Sequence, residues 1–200
     1  MKKLLLTGFE PFLHHTLNPT MDIAKELDGK TIGNYEIVSK ILPVTFSESG
    51  EELLSAIKEV QPDAVVSLGL AGDRRHITPE RIAINCKDGA KDNNGVQMTG
   101  EKIVEEGEDG MFTTLPVQKM VEALKDATLP ASISNSAGAY VCNHVMYHAL
   151  YYFKQENITI PSGFIHIPPS HALALEQKNV SSMSHDDLVR GIQICMEQIS

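Results

Sequence analysis

Residues 64–69 read Ala-Val-Val-Ser-Leu-Gly and decide the fold of this 200-residue chain. The run is almost entirely apolar, is rich in β-branched side chains and follows a Pro-Asp turn at residues 62–63. A strand whose two faces are both buried occurs mainly in parallel sheets that are covered by helices. The sequence therefore predicts a central strand here.

The rest of the chain alternates between strand-like and helix-like segments. Further strands are predicted at residues 3–7, 35–44, 82–86, 131–135 and 162–167. Helices are predicted to begin at Asn18, at Ser47 or Ser49, after Pro116, at Cys142 and at Ser184. This alternation predicts a single-domain, three-layer α/β/α sandwich with a mostly parallel central sheet. In such sheets, binding sites form beyond the carboxyl ends of the strands.

The composition argues against several classes of function. Hydrophobic residues make up 42% of the chain, enough for one sizeable core, and no linker divides residues 1–200. The net charge of −9 argues against nucleic acid or an anionic membrane as the main partner. The apolar run at residues 4–6 is too short for a signal peptide, and no stretch approaches the length of a membrane span. We therefore expect a cytoplasmic protein with one domain, residues 1–200.

Cys142 follows a run of small residues, 134–139, and opens a helix-like segment. Unpaired N–H groups and the positive end of the helix dipole favour the thiolate form of a cysteine at such a position. Cys86 and Cys195 complete an odd set of cysteines without a CxxC pattern, which argues against disulfides and a zinc–thiolate site. Cys142 is therefore either a catalytic nucleophile or a small buried hydrophobic residue.

Two other residues could assist a nucleophilic thiol. His166 lies near the end of an apolar strand-like run, where an imidazole could accept the proton of the thiol. Glu80 stands at the start of another apolar run, an unusual place for an unpaired carboxylate, and could orient the imidazole. The alternatives are a hydrogen-bonded core histidine and a local ion pair of Glu80 with Arg74 or Arg81.

The other histidines offer a weaker signal. His144 and His148 have the four-residue spacing of a two-histidine metal site, but the HExxH pattern is absent and we do not expect a metal. His76 follows two arginines in a loop and is harder to assign. Surface positions are predicted for His14, His15, His171 and His185.

Four motifs, in order along the chain, resemble one enzyme family. They are Thr-Gly-Phe-Glu-Pro-Phe at residues 7–12, the glutamate segment at 69–85, the cysteine segment at 134–147, and Gly-Phe-Ile-His-Ile-Pro at 163–168. Residues 92–95 and 114–116 fit the same pattern. The chain resembles the type I pyroglutamyl peptidases, also called pyrrolidone-carboxylate peptidases, which are cytoplasmic cysteine peptidases.

The resemblance implies a catalytic triad of Glu80, Cys142 and His166. It implies that the enzyme removes an N-terminal pyroglutamyl residue from peptides through a thioester, without a cofactor or a metal. The implied partners are peptide substrates with N-terminal pyroglutamate and further copies of the chain, most simply in a homotetramer.

The resemblance also implies a substrate pocket. Apolar walls are expected around the lactam ring, with a few polar groups for its N–H and C=O. The implied substrate-binding residues are Phe9, Phe12, Thr45, Tyr140 and Val141. The oxyanion is expected against the backbone N–H of Cys142, with Arg74 nearby.

Three features depart from the family pattern. Leu70 stands where glutamine is usual, and Asp73 stands where glycine is usual. The segment between Asn85 and Asp92 is one residue short, so the pocket residue expected there cannot be assigned. These departures predict reduced catalytic efficiency. They also leave an alternative, a catalytically weakened relative that acts as a binding or structural protein.

Overall fold

The computed structural model describes residues 1–13, 15–176 and 180–199. His14, for which a surface position was predicted, lies outside these residues. The strands are β1 (Lys2–Phe9), β2 (Thr31–Ile32), β3 (Tyr35–Leu42), β4 (Ala64–Leu70), β5 (Thr78–Pro79), β6 (Ile82–Ile84), β7 (Lys87–Asp88), β8 (Thr99–Glu101), β9 (Gly110–Phe112) and β10 (Ser162–Ile167). The helices are α1 (Pro19–Leu27), α2 (Ser49–Val60), α3 (Val117–Asp126), α4 (Val141–Gln155), α5 (His171–Ala174) and α6 (His185–Glu197).

The central sheet has the strand order β2-β3-β1-β4-β10-β5. Strands β3, β1, β4 and β10 are parallel, and the short β2 and β5 pair antiparallel at the two edges. All seven residues of β4 are buried. The predicted central strand and the mostly parallel sheet are therefore confirmed.

Helices cover both faces of this sheet. One hydrophobic cluster joins the sheet to α1, α3 and α6, and the other joins it to α2 and α4. The predicted three-layer α/β/α sandwich is confirmed. None of the helices in the described ranges is long and apolar enough to cross a membrane.

The predicted helix starts were mostly correct. Asn18 caps α1 by accepting a hydrogen bond from the Thr20 N–H, and Ser184 caps α6. The prediction for α2 was wrong, because Glu48 occupies the N-cap position and no side chain caps this helix. The Thr45 hydroxyl instead accepts a hydrogen bond from the Glu48 N–H, one residue before the helix.

Two predicted segments differ from the structure. Residues 131–135 do not form a continuous strand, because only Ala131 and Ser134 make β-bridges, to Ile77 and Glu80. Residues 87–110 are polar and glycine-rich without a clear period, which predicts a long loop. In the structure they contain the small hairpin of β7 and β8, and β9 pairs with β6 at their end. These two short strand pairs, β6 with β9 and β7 with β8, cover the start of α4 and do not join the central sheet.

Candidate active site

The carboxyl ends of β4 and β10 lie side by side and meet the start of α4. Gly69 on β4 is opposite His166 on β10, and Cys142 is the second residue of α4. A Cβ added at Gly69 would lie 2.9 Å from Cys142 Sγ and 2.5 Å from the Phe164 ring. Glycine at this position therefore leaves room for the sulfur beside the strand end.

His166 and Glu80 form a buried hydrogen-bonded pair. His166 Nδ1 lies 2.7 Å from Glu80 Oε1, and the two side chains are 6% and 0% exposed. A backbone hydrogen bond fixes the distance between the two chain segments, because the Glu80 N–H donates to the Phe164 carbonyl. Among the described residues, Glu80 is the hydrogen-bond partner of Nδ1, and its carboxylate can only accept, so the ring proton sits on Nδ1. With that proton on Nδ1, the other ring nitrogen is free to accept a proton.

Arg74 hydrogen-bonds to Glu80, and its predicted place near the oxyanion stays a prediction. Its Nη1 donates to Glu80 Oε1 at 2.6 Å, and its Nη2 donates to the Ser136 carbonyl at 3.0 Å. The Arg74 ion pair and the His166 hydrogen bond thus share one oxygen. The second oxygen, Glu80 Oε2, is buried without a hydrogen-bond partner among the described residues. Arg74 therefore joins the carboxylate to the loop that leads into Cys142.

Desolvation favours the neutral forms of both the thiol and the imidazole. Desolvation raises the pKa of Cys142 to about 12, with a further rise from the charge of Glu80, although Arg74 and a backbone N–H oppose it. Desolvation also lowers the pKa of His166, against the raising effect of Glu80. Desolvation of Cys142 therefore opposes the effect of the helix N-terminus on the thiol pKa, and the predicted thiolate stays a prediction.

A cavity of about 140 Å³ opens onto Cys142 and His166. It is lined by Phe9, Phe12, Asn18, Val44, Leu70, Ala137, Tyr140, Val141, Cys142 and His166. Most of these side chains are apolar, and no described residue of the lining carries a carboxylate. The cavity therefore suits an uncharged, largely apolar group.

Four of the five predicted pocket residues, Phe9, Phe12, Tyr140 and Val141, line this cavity. Thr45 is not among the described residues that line it. Its hydroxyl donates to Glu48 Oε2 at 3.1 Å, so the side chain is used at the start of α2. The role of Thr45 in substrate binding therefore stays a prediction, since the structure shows its side chain held by a neighbouring residue of its own loop.

Known proteins of one family are similar to this chain over nearly its whole length. Residues 2–200 match the pyroglutamyl peptidase family. The chain belongs to the pyroglutamyl peptidase family. A pyrrolidone-carboxylate peptidase of Oceanobacillus iheyensis is 53% identical over 196 residues, which cover 98% of each chain.

Solved structures of the family have the same fold. Pyroglutamyl peptidase I of Bacillus amyloliquefaciens superposes with a TM-score of 0.96 at 39% identity, covering 100% of this chain and 97% of the other. Pyrrolidone carboxyl peptidase of Thermococcus litoralis gives a TM-score of 0.95 at 40% identity, covering 100% and 93%. The family resemblance recognised from the motifs is thus confirmed over the whole chain.

Sequence reasoning missed several residues that shape the site of this pyroglutamyl peptidase. Val44 and Ala137 line the cavity, but their residue types carry no signal. Asn18 was recognised only as a helix cap. Asn143, next to Cys142, is fully buried and bonds through its side chain to Ile84 and to the Cys86 carbonyl. A buried amide directly after a candidate nucleophile was the available signal for this anchor.

The His144–His148 pair lies away from the cavity lining. The ring centroids are 4.4 Å apart in an edge-to-face arrangement. In the described ranges, no group of three or more His, Cys, Asp or Glu residues is arranged to hold a metal ion. Burial lowers the pKa of His144 to about 3 and lowers the pKa of His148 as well, so both rings are neutral parts of the packing between α2 and α4.

His144 is expected to make the protein sensitive to acid. Its pKa falls from 6.5 to about 3 in the folded state, so the unfolded state binds a proton that the folded state does not. The free energy of unfolding should therefore fall by about 1.4 kcal/mol per pH unit below pH ~6.5 for each such group. Urea unfolding between pH 4 and 7 measures this slope. His144→Gln should flatten it, whereas the exposed-site control His171→Gln should not; equal slopes in the two variants would contradict the assignment.

Proposed function

We propose that this chain is a cysteine peptidase that removes an N-terminal pyroglutamyl residue from peptides. Cys142 is the nucleophile, His166 is the general base and acid, and Glu80 orients the imidazole. The observation that carries the proposal is the buried 2.7 Å contact between His166 Nδ1 and Glu80 Oε1, behind a cavity that both His166 and Cys142 line. Membership in the pyroglutamyl peptidase family supports the substrate class.

The reaction begins from a neutral thiol and a neutral imidazole. As the sulfur of Cys142 attacks the pyroglutamyl carbonyl carbon, the thiol proton passes to His166. Glu80 stabilises the resulting imidazolium through its hydrogen bond to Nδ1. This order fits the raised pKa of Cys142 and the lowered pKa of His166, because neither group needs to be charged before substrate binds.

The tetrahedral intermediate then collapses to a thioester. His166 gives its proton to the departing amine, and the C–N bond breaks. A water molecule loses a proton to His166 and attacks the thioester, which releases pyroglutamate and restores the thiol. In both steps the oxyanion is stabilised by the backbone N–H of Cys142 at the start of α4. Arg74, which is bonded to Glu80, contributes by holding the carboxylate.

The apolar cavity explains why a lactam is preferred over a free amino terminus. A pyroglutamyl residue is a neutral five-membered ring, whereas other peptides begin with a charged ammonium group. Because no described lining residue carries a carboxylate, the ammonium would lose its hydration without gaining a counterion. Selectivity therefore comes largely from the cost of burying the wrong substrate.

The test compares arylamides of pyroglutamate, proline and glutamate. We expect kcat/KM for the pyroglutamyl substrate to exceed the other two by about 10²-fold or more, because both competitors carry a charged amine. Iodoacetamide should abolish turnover, and EDTA should leave it unchanged. Comparable hydrolysis of the prolyl substrate, or activity that survives iodoacetamide, would show that the proposed function is wrong.

Leu70 is the departure from the family pattern that bears on efficiency. It lines the cavity, so a side-chain hydrogen-bonding group is missing beside the substrate. We expect Leu70→Gln to raise kcat/KM on the pyroglutamyl arylamide about 2- to 10-fold, the range that one added hydrogen bond supplies. The matched control is Leu175→Gln, at a leucine that is 90% exposed. No gain for Leu70→Gln over this control would count against a role for the position.

We further propose that the enzyme works in the cytoplasm as a homotetramer. Cys86, Cys142 and Cys195 are all free, which fits a reducing compartment. Phe112 and Ile158 are 67% and 42% exposed and line one surface groove, of the kind that is buried between subunits. Light scattering should give four times the 21.9 kDa mass of one chain, and the mass of a monomer would contradict the proposal.

A further inference from the structure

A second, larger cavity is formed by residues 74–78 and residues 132–134. Its volume is about 410 Å³. It is lined by Arg74, Arg75, His76, Thr78, Ser132, Ile133 and Ser134. The two cavities have no described lining residue in common. The chemistry proposed above gives this second cavity no role.

The lining of this cavity is cationic and carries hydroxyl groups. Arg74 and Arg75 contribute two guanidinium groups, of which that of Arg74 is already bonded to Glu80 and the Ser136 carbonyl. Three hydroxyl side chains accompany them, and those of Thr78 and Ser134 donate to backbone carbonyls. The exposed His76 adds an imidazole whose Nδ1 lies 3.2 Å from the Ser132 hydroxyl. No carboxylate occurs in the described lining, although the chain as a whole carries a net charge of −9. Guanidinium and hydroxyl groups are the side chains that bind phosphate oxygens.

Further positively charged side chains lie close to this cavity. Arg75 also lines an adjoining cavity together with His171 and Arg190. Asp73, the exposed neighbour of Arg74 in the chain, is not among the lining residues. Among the described residues of that adjoining cavity, Asp187 is the one carboxylate, and it is already paired with Arg190 at 3.1 Å. Arg75 lines both the cavity at residues 74–78 and this adjoining cavity, so it is positioned to contact an anion where the two meet.

We propose that the Arg74–Arg75–His76 cavity binds a phosphate group, and that its occupancy is coupled to the active site through Arg74. The phosphate could be the free inorganic ion or the end of a phosphomonoester. The open mouth of the cavity leaves room for the organic part of an ester. The proposal of a phosphate-binding site depends only on the residues that line the cavity. The proposed coupling to the active site depends also on the function proposed above.

The coupling follows from the contacts of Arg74. Its Nη1 is 2.6 Å from Glu80 Oε1, the same oxygen that lies 2.7 Å from His166 Nδ1. A bound dianion attracts the Arg74 guanidinium and weakens its pairing with Glu80. Arg74 lowers the pKa of His166 and Glu80 raises it, so an occupied cavity raises this pKa. The imidazole then stays protonated to higher pH, and turnover on the acid side falls.

Binding is measured first, without substrate. Inorganic phosphate and O-phosphoserine are titrated separately into the enzyme by calorimetry at constant ionic strength, with chloride as the reference anion. We expect Arg75→Gln to weaken binding about 10-fold or more, since it removes one of two charge-assisted contacts. Lys58→Gln, which removes one positive charge from the opposite face on α2, is the matched control and should bind like the wild type.

The outcomes separate the possibilities. Binding of both ligands supports a general phosphate site, and binding of O-phosphoserine alone identifies a phosphomonoester as the occupant. No binding of either ligand above the chloride reference overturns the proposal. Equal weakening in Arg75→Gln and Lys58→Gln also overturns it, because the effect would then be one of net charge.

The coupling is tested by the pH dependence of kcat/KM with and without the bound ligand. We expect the acid limb to move to higher pH on binding in the wild type, and to stay in place for Arg75→Gln at the same ligand concentration. An unchanged acid limb at saturating ligand would overturn the coupling and leave the binding site intact. Failure of the proposed function would appear differently, as binding without any turnover of the pyroglutamyl substrate.

Discussion

Cys142→Ala is expected to lower kcat/KM on a pyroglutamyl arylamide by about 10³-fold or more. The variant has no sulfur to form the thioester, and the remaining His166–Glu80 pair has no nucleophile beside it. The side chain becomes smaller at a position where Gly69 already leaves space, so the fold should be retained. Initial rates and thermal unfolding of the same preparations measure both expectations.

The matched control for this variant is Cys86→Ala. Cys86 is also a free and partly exposed cysteine, and it follows β6 rather than opening α4. It should keep wild-type activity and should still be inactivated by iodoacetamide through Cys142. If Cys86→Ala lost as much activity as Cys142→Ala, or if Cys142→Ala kept its turnover, the nucleophile would have been assigned to the wrong residue.

Local sequence signals were sufficient to predict features that depend on interactions between near neighbours in the chain. The β-branched run of β4, the Asn18 cap and the Ser184 cap each depend on a few neighbouring residues, and all three were predicted correctly. The unusual positions of His166 and Glu80 within apolar runs also singled them out, and the structure brings these two side chains into contact. The fold class followed from the alternation of strands and helices.

Other features of the site depend on tertiary structure. The family resemblance implied only that Arg74 lies near the oxyanion, whereas the folded 71–77 loop directs its guanidinium onto Glu80 and Ser136. The state of the Cys142 thiol was predicted from the helix start, whereas burial raises its pKa to about 12. Neither desolvation nor the direction of a loop side chain can be derived from residue spacing.

The position of Arg74 changes how the family departures are understood. Because Asp73 adds negative charge beside Arg74, the sequence predicts that it draws the guanidinium away from an oxyanion. In the structure Arg74 hydrogen-bonds to Glu80, Thr78 and the Ser136 carbonyl. The charge of Asp73 therefore acts on a residue that holds the Glu80 carboxylate. The negative charge of Asp73 raises the pKa of His166, in the same direction as Glu80. Leu70, in the cavity lining, is thus the departure that faces the substrate.

Glu80→Gln is expected to reduce kcat by roughly 10²- to 10⁴-fold. The amide has nearly the size of the carboxylate but carries no charge, so it cannot stabilise the imidazolium of His166. Its NH₂ group can also donate to Nδ1, which places the ring proton on the nitrogen that must accept the proton of Cys142. Arg74 would in addition lose the negative charge with which it pairs at 2.6 Å.

A pH profile distinguishes this role from a structural one. Glu80 raises the pKa of His166 through its hydrogen bond and its charge, so removing the charge lowers that pKa. The residual activity of Glu80→Gln should therefore persist to lower pH than that of the wild type, even though its maximum is far smaller. The matched control is Glu59→Gln, an exposed glutamate on α2, which should change neither the rate nor the profile. A loss below 10-fold with an unshifted acid limb would mean that Glu80 only packs against His166, because orientation and charge stabilisation both predict a larger and pH-dependent effect.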